Sequence, residues 1–200
     1  WFDRDRTRMQ GLTTNWWALQ DTAQSIEKGY FIEQPAGLWP GFEDVWIPVS
    51  ETVQLHGFLG LSRRPDGSVR DAACIVILPG LWGDNGAIRS RDVSKALVRS
   101  GYHALAIEPR GHGQTEARYP DVYYNYGVIE SQDMMKVSEW LEDRDAHITS
   151  SGMVGFCWGA NQALLAAWFD GRSENDPSVT QNVKRFLEPV SPRPHYTAGI

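Results

Sequence analysis

The sequence contains little cysteine and no long hydrophobic run. Its two cysteines in 200 residues are too few for the disulfide framework of a small secreted domain, and they form no CxxC pair of the kind that binds zinc or carries redox chemistry. No apolar stretch approaches the length of about 18 residues that a membrane span needs. The opening segment WFDRDRTRMQ has no signal-peptide character. These absences exclude a disulfide scaffold and a membrane-spanning helix in this chain.

Basic residues are outnumbered by acidic ones, which bears on the partners of the chain. The sequence has 19 Lys and Arg against 25 Asp and Glu, a formal net charge of −6, so it is not expected to bind nucleic-acid phosphates. Hydrophobic residues make up 42% and charged residues 22%, a composition near the globular average. The sequence therefore predicts one folded domain with a sizeable core and no nucleic-acid partner.

The first residues differ in composition from the rest. Residues 1–43 are rich in Trp, Gln, Gly and Pro and show no sustained period, so we interpret them as an arm that packs on the main domain, residues 44–200. Because the chain begins with Trp1 rather than Met, we expect that a segment preceded it. A processed or exported form therefore stays open beside a cytoplasmic location.

From Asp44 the pattern predicts a hairpin and then alternating strands and helices. Continuous apolar runs indicate strands covered on both faces, and apolar residues at helical spacing indicate helices. The predicted strands are residues 45–49, 53–61, 73–78, 102–108, 152–156 and 195–200, and the predicted helices are residues 16–28, 88–100, 125–143, 160–169 and 179–187. This order predicts an α/β fold with a mostly parallel, doubly wound sheet. The loops after Leu78, Glu108 and Phe156 are expected to converge on a ligand site at the carboxyl ends of the strands.

The segment GFCWG, residues 155–159, lies between a predicted strand and a predicted helix. This context is that of a nucleophile elbow, in which a strained turn lifts one side chain to the top of the sheet and flanking glycines relieve crowding. Cys157 occupies the nucleophile position, where the N-terminus of the following helix favours the reactive thiolate. The backbone N–H of Trp158 then faces the oxyanion that develops on the substrate. Burial as a small hydrophobe is the alternative reading of such a cysteine.

A second oxyanion donor is expected from the loop PGLWGDNG, which follows the first buried strand. The N–H of Leu81 is the candidate, since Gly80 and Gly83 let the backbone approach a substrate. Trp82 and Trp158 flank the expected pocket, either as the lining of an apolar acyl site or as packing residues.

Three segments, LPGLWGDNG, IEPRGHGQT and GFCWG, make the chain from about Val45 onward resemble the α/β-hydrolase superfamily. The first stands in place of the oxyanion-loop HG motif, the second is similar to the DxRGxGxS segment, and the third is the nucleophile box. Glu108 stands where Asp is common, which we interpret as a minor difference in a structural turn. Within the superfamily the chain looks most like the esterase branch related to medium-chain and acylglycerol hydrolases, with the Cys of dienelactone hydrolases. The resemblance implies hydrolysis of an ester, thioester or lactone on a small-molecule acyl substrate, without a cofactor or a metal.

The resemblance covers only the first two thirds of the fold. Families of this fold place the acid and the His after the nucleophile, but the sequence stops at Ile200, within the expected sixth strand. His195 is the only His after Cys157, and it is expected at the wrong end of that strand for the site. The other histidines are interpreted as structural: His56, His103, His112 and His147. We therefore expect the acid and the His to come from a longer parent chain or from a second polypeptide.

Two other functions stay open. One is a non-catalytic scaffold or interaction subunit, in which the elbow survives only as architecture. The other is acyl transfer of the polyester-synthase kind, which shares the Cys box but not the IEPRGHGQT segment. An unfinished sheet edge also predicts association, with a complementary polypeptide or with further copies of this chain.

Overall fold

The computed structural model describes residues 39–81, 83–86, 88–122, 124, 127–172, 176–181 and 196–199. Within these residues the strands and helices follow the alternating order that the sequence predicts. In chain order they are β1 (Glu43–Pro48), β2 (Gln54–Gly60), β3 (Ala72–Leu78), α1 (Ile88–Arg99), β4 (His103–Glu108), α2 (Gly113–Arg118), α3 (Val128–Arg144), β5 (Ile148–Gly155), α4 (Trp158–Phe169) and β6 (Tyr196–Gly199). None of the helices in this part of the chain has the length and apolar character that a bilayer crossing requires.

The strands form one sheet in the order β1-β2-β4-β3-β5-β6. Strands β4, β3, β5 and β6 run parallel, whereas β2 is antiparallel to both β1 and β4. After β3 the chain first adds β4 on one side and then β5 on the other, so the strand order reverses at β3. A ligand crevice is expected at such a reversal, beyond the carboxyl ends of the strands. The predicted fold class, an α/β fold with a mostly parallel sheet, is confirmed.

The centre of the sheet is buried because its strands are continuously apolar. Every residue of β4 is buried, and so are the side chains of Val76 and Leu78 in β3. Met134, Val137 and Leu141 of α3 pack on the same core. Burial contributes about 1.5–3 kcal/mol for each large apolar side chain. The sheet is therefore a rigid base from which the loops at its carboxyl edge project.

The described end of the predicted arm packs on the domain. Trp39 stacks on Phe58 of β2 with ring centroids 4.8 Å apart, and its indole Nε1 donates to the backbone oxygen of Asn85 at 3.2 Å. The rest of the predicted arm lies outside the described residues, with the predicted helix 16–28, and so does most of the predicted helix 179–187. The division into an arm and a domain stays a prediction.

Two elements differ from the sequence prediction. Helix α2 forms in the turn-rich segment after β4, where no helix is predicted. The Thr115 hydroxyl there donates to the backbone oxygen of Glu108 at 2.6 Å, which holds the first turn of α2 against β4. Strand β5 begins at Ile148 rather than at the predicted Gly152. The polar Ser151 is buried in this strand because its hydroxyl lies 2.6 Å from that of Ser138, which satisfies both groups.

A buried ion pair joins the loop after β4 to α3. The Arg110 guanidinium donates from Nε to Asp133 Oδ2 at 2.8 Å and from Nη2 to Asp133 Oδ1 at 2.9 Å. The two side chains are 12% and 4% exposed, so water screens the pair weakly. This bidentate contact fixes the start of the loop at the carboxyl edge of the sheet.

We expect Asp133→Asn to lower the free energy of unfolding by about 3 kcal/mol, because it removes the carboxylate charge that makes a bidentate pair with the mostly buried Arg110 guanidinium. The matched control is Glu139→Gln on the same helix, which removes a carboxylate that pairs with Lys136 where both side chains are more exposed. That change is expected to cost less than about 1 kcal/mol. Urea unfolding followed by circular dichroism measures both values. Equal losses in the two variants would contradict the prediction.

Candidate functional site

Cys157 lies at a sharp turn between β5 and α4. Its backbone has φ 53° and ψ −113°, and it is the one non-glycine residue with positive φ among the described residues. Such a conformation costs of order 1–3 kcal/mol and persists only where the surrounding structure imposes it. The side chain is exposed. The turn therefore presents the thiol to solvent at the N-terminus of α4.

Close backbone approaches impose this turn. A Cβ on Gly155 would overlap the backbone of Gly159, and a Cβ on Gly159 would overlap the backbone oxygens of Leu78 and Pro79. The amide of Phe156 donates to the oxygen of Leu78 at 3.0 Å, which extends the pairing of β5 with β3 to the edge of the turn. Helix α4 can begin directly over the end of β3 only because both positions are glycine.

The loop after β3 lies against the same turn. A Cβ on Gly80 would be 3.5 Å from the Cβ of Cys157, an ordinary contact distance. The amide of Gly83 donates to the oxygen of Gly80 at 2.8 Å, so the chain makes a tight turn around Leu81, whose side chain is half-buried. Trp82, the predicted pocket residue, lies outside the described residues. The structure thus brings the predicted oxyanion loop and Cys157 together.

Trp158 is the first residue of α4 and is only 8% exposed. Amides in the first turn of a helix have no acceptor one turn back. The next two amides find local acceptors, since Gly159 donates to Phe156 and Ala160 donates to Cys157. The amide of Trp158 therefore belongs to the positive end of α4, immediately beside Cys157.

An aromatic cluster packs on the Trp158 side chain. The His112 ring stacks on the indole with centroids 5.0 Å apart, and the Tyr124 ring meets it edge-on at 5.8 Å. The Nδ1 of His112 donates to the backbone oxygen of Arg110 at 2.8 Å, since a carbonyl can only accept. These contacts fix the Trp158 side chain against the loop after β4. The sequence analysis named Trp158 and His112 but missed Tyr124.

The remaining described histidines contact partners other than Cys157. His103 accepts the amide of Ser62 at Nδ1 and contacts the backbone oxygen of Arg70 through Nε2, each at 3.0 Å. His147 is partly exposed and pairs with Asp71 at 2.6 Å. His195 lies outside the described residues. Among the described residues, no group of His, Cys, Asp and Glu side chains could hold a metal ion.

The second cysteine differs from Cys157 in every respect that governs reactivity. Cys74 is fully buried in β3, and burial raises the pKa of its thiol far above the ordinary range. A buried thiol with a raised pKa stays protonated at neutral pH and is a poor nucleophile. Cys157 is therefore the thiol available to reagents in water.

The carboxylate of Glu108 is the centre of a buried hydrogen-bond network below the loop after β3. Its Oε1 accepts the backbone amide of Asn85 at 2.9 Å. Its Oε2 accepts the backbone amide of Gln114 and the Nδ1–H of His56, each at 2.8 Å. Glu108, His56 and Asn85 are all fully buried. One side chain of β4 therefore connects β2, α2 and the predicted oxyanion loop.

His56 lies between two carboxylates. Its Nδ1 faces Glu108, and its Nε2 lies 3.3 Å from the exposed Asp44 in β1. Burial lowers the pKa of His56, but the hydrogen bond and charge of Glu108, together with the charge of Asp44, outweigh burial and raise the pKa above 6.5. The His56 ring is thus a cation matched to a buried anion over a wider pH range than an ordinary histidine.

Sequence reasoning treated Glu108 as a minor variation and His56 as structural, and it did not single out Asn85. The RGHG motif was a signal for the position of Glu108, because it places that residue at the carboxyl end of a buried strand. Nothing in the local pattern indicates that residues 56, 85 and 114 meet there.

Comparison with known proteins supports the fold. Residues 74–171 match a protein family described as the α/β hydrolase fold. A lidless α/β serine hydrolase from Xanthomonas campestris is 21% identical, with a TM-score of 0.51 over 64% of this chain and 56% of that one. The α/β hydrolase GrgF from a Penicillium species is 21% identical, with a TM-score of 0.52 over 64% of this chain and 42% of that one. No curated protein sequence matches the chain.

An esterase from Pyrococcus furiosus is 23% identical, with a TM-score of 0.49 over 73% of this chain and 51% of that one. The chain spans about half the length of the solved structures that it matches.

We expect Gly155→Ala to destabilise the protein by about 3 kcal/mol, because the new methyl group overlaps backbone that cannot move aside without shifting α4. Gly80→Ala is the matched control, since its methyl group meets Cys157 at an ordinary distance, and a change within about 0.5 kcal/mol is expected. Chemical denaturation of both variants measures the difference. A Gly155→Ala protein as stable as the Gly80→Ala protein would show that the turn is not sterically imposed.

The raised pKa of His56 makes stability depend on pH. Its contribution is fully present below the unfolded value of 6.5 and is lost as the pH rises through the folded pKa, about 1.4 kcal/mol for each unit by which the pKa is raised. The free energy of unfolding should therefore fall across this window in the natural protein. His56→Asn, which keeps a donor to Glu108 but cannot titrate, should lose this slope, whereas His147→Asn at the surface should keep it. An unchanged slope in His56→Asn would refute the assignment.

Proposed function

Because residues 74–171 belong to the α/β-hydrolase superfamily, we propose that the chain is the nucleophile-bearing part of a hydrolase. It acts on the carbonyl of an ester, thioester or lactone through Cys157. The observation that carries the proposal is the backbone of Cys157. It is held at φ 53° by the packing of Gly155 and Gly159, with the thiol exposed beside Gly80.

In the proposed first step the Cys157 thiolate attacks the carbonyl carbon, so that a C–S bond forms and the π electrons move to the oxygen. The backbone amides of Leu81 and Trp158 donate hydrogen bonds to this oxyanion. When the intermediate collapses, the bond to the alcohol or thiol breaks, and a general acid gives that leaving group its proton. Water then hydrolyses the thioester, which releases the carboxylic acid and restores the thiol.

In this proposal the positive end of α4, which includes the Trp158 amide beside Cys157, stabilises the developing oxyanion. The Trp158 ring packs against His112 and Tyr124. We further assign Trp82 and Trp158 to the lining of an apolar acyl site. The substrate is accordingly a small acyl compound.

The general base and its orienting acid are assigned to sequence outside this chain. The contacts of His56, His103 and His147 join them to Glu108, Arg70 and Asp71, and the chain spans about half the length of the solved proteins that it matches. A longer parent chain or a complementary polypeptide would supply both groups. Because these three histidines contact partners other than Cys157, a second candidate function is also supported. It is a non-catalytic scaffold or interaction subunit in which the turn at Cys157 has only a structural role.

Acylation of the natural chain by p-nitrophenyl acetate tests the first step, which needs no partner if the thiolate is present. We expect a burst of one equivalent of nitrophenolate, at a rate about 10²-fold or more above that of a free thiol at equal thiolate concentration, because the two amides stabilise the oxyanion. Cys157→Ala should abolish the burst, and Cys74→Ala is the matched control that should retain it. Mass spectrometry of the intact protein counts the acetyl groups.

Alkylation by iodoacetamide separates the two candidates, because displacement at a saturated carbon forms no oxyanion. If Cys157 is alkylated at the rate of a free thiol and is also acylated no faster than a free thiol, the hydrolase proposal is wrong and the scaffold is favoured. Acylation that persists in Cys157→Ala would place the nucleophile elsewhere.

A further inference from the structure

We propose that Glu108 is a positioning residue of the oxyanion hole, because its buried carboxylate fixes the loop that carries the Leu81 amide. The catalytic consequence rests on the proposed function, whereas the structural part rests on contacts of the described residues alone. The role differs from that of a turn residue, since the carboxylate acts on a loop distant in the sequence.

The loop after β3 is held at two places. At its start the oxygen of Leu78 accepts the amide of Phe156, next to the elbow. Further along, Asn85 is fully buried and anchors the loop to the sheet. The turn from Gly80 to Gly83 lies between these two anchors and includes Leu81. The direction of the Leu81 amide therefore depends on where Asn85 is held.

Asn85 is anchored by three hydrogen bonds, and Glu108 supplies the charged one. The backbone amide of Asn85 donates to Glu108 Oε1 at 2.9 Å, its side-chain Nδ2 donates to the oxygen of Ala106 at 3.3 Å, and its own oxygen accepts the indole of Trp39 at 3.2 Å. A hydrogen bond to an ionised group is shorter and about twice as strong as a neutral one. The bond to Glu108 is the shortest of the three.

The carboxylate of Glu108 is itself held in place. Its other oxygen accepts Gln114 and His56, and a Cβ on Gly113, whose φ is +49°, would overlap the carboxyl group, which favours glycine there. Three donors converge on two acceptor oxygens. A glutamine at position 108 offers only one acceptor oxygen and an NH₂ group, so at least one donor would face another donor.

The charge on His56 determines how firmly this anchor holds. Glu108 in β4 and Asp44 in β1 face His56 from either side. From α2, the guanidinium of Arg118 lies 4.4 Å from the centroid of the Trp46 ring, which is 5.1 Å from the His56 ring. When His56 loses its proton, the Glu108 anion loses the cation that compensates it in the buried interior. The hydrogen bond from the Asn85 amide to Glu108 is then expected to weaken as the pH rises.

The ratio of the acylation rate to the alkylation rate at Cys157 reports on how well the oxyanion hole is positioned. Acylation by p-nitrophenyl acetate needs the oxyanion donors, and alkylation by iodoacetamide does not, while both rates depend equally on the thiolate fraction. Their ratio therefore isolates the oxyanion hole from the titration of the thiol. Small displacements of such groups lower rates by about 10²-fold.

We expect Glu108→Gln to lower the acylation-to-alkylation ratio by at least about tenfold, with alkylation unchanged. The matched control is Asp71→Asn, which removes a carboxylate paired with His147 at the surface and should leave the ratio as it is. In the natural chain the ratio should fall from mildly acidic to mildly alkaline pH, and in His56→Asn it should be independent of pH. An unchanged ratio in folded Glu108→Gln would overturn the proposal.

Hydrogen–deuterium exchange of the peptide that spans the loop gives a readout that needs no activity. Exchange at the Asn85 amide should accelerate in Glu108→Gln and stay slow in Asp71→Asn. If the natural chain shows no enhanced acylation, the hydrolase proposal fails and exchange alone decides the role of Glu108. If Glu108→Gln does not fold, the test depends on His56→Asn. An acylation-to-alkylation ratio that varies with pH in His56→Asn as much as in the natural chain would overturn the proposal.

Discussion

The buried carboxylate of Glu108 is the interaction on which the arrangement of this site depends. A charge without water is tolerated only when it is compensated and fully hydrogen bonded, and here the donors come from β2, α2 and the loop after β3. All three elements must be in place for the carboxylate to be fully hydrogen bonded. The carboxylate thus links the hairpin side of the sheet to the edge where chemistry is expected.

The site lies where the chain reverses its order across the sheet, between the ends of β3 and β5. Close packing of Gly155 and Gly159 over Leu78 and Pro79 leaves Cys157 with a backbone conformation that it would not adopt alone. The energy stored in that turn is offset by the pairing of β3 with β5, which continues to the edge of the turn. A strained turn with an exposed thiol is therefore supported by paired strands of the central sheet.

Much of this arrangement could be predicted from the sequence, because it depends on local signals. The apolar runs predict the strands, the helical spacing predicts α1, α3 and α4, and the GFCWG segment predicts the turn at Cys157. Interactions between distant segments could not be predicted. The hydroxyl pair of Ser138 and Ser151 satisfies buried polar groups of β5, and the convergence of Asn85 and His56 on Glu108 requires the folded sheet. Each depends on a partner that no short window contains.

The tight packing around Gly113 has a consequence for substitutions at the positions that it contacts. Its missing side chain makes room for the longer glutamate at position 108, whose carboxyl reaches His56 in the neighbouring strand. Shortening residue 108 to aspartate would leave an unfilled space there and pull the carboxyl away from the imidazole. A side chain at residue 113 would force the carboxyl group to shift. The glycine at position 113, the glutamate at position 108 and the imidazole at position 56 therefore depend on one another for space and for hydrogen bonding in this chain.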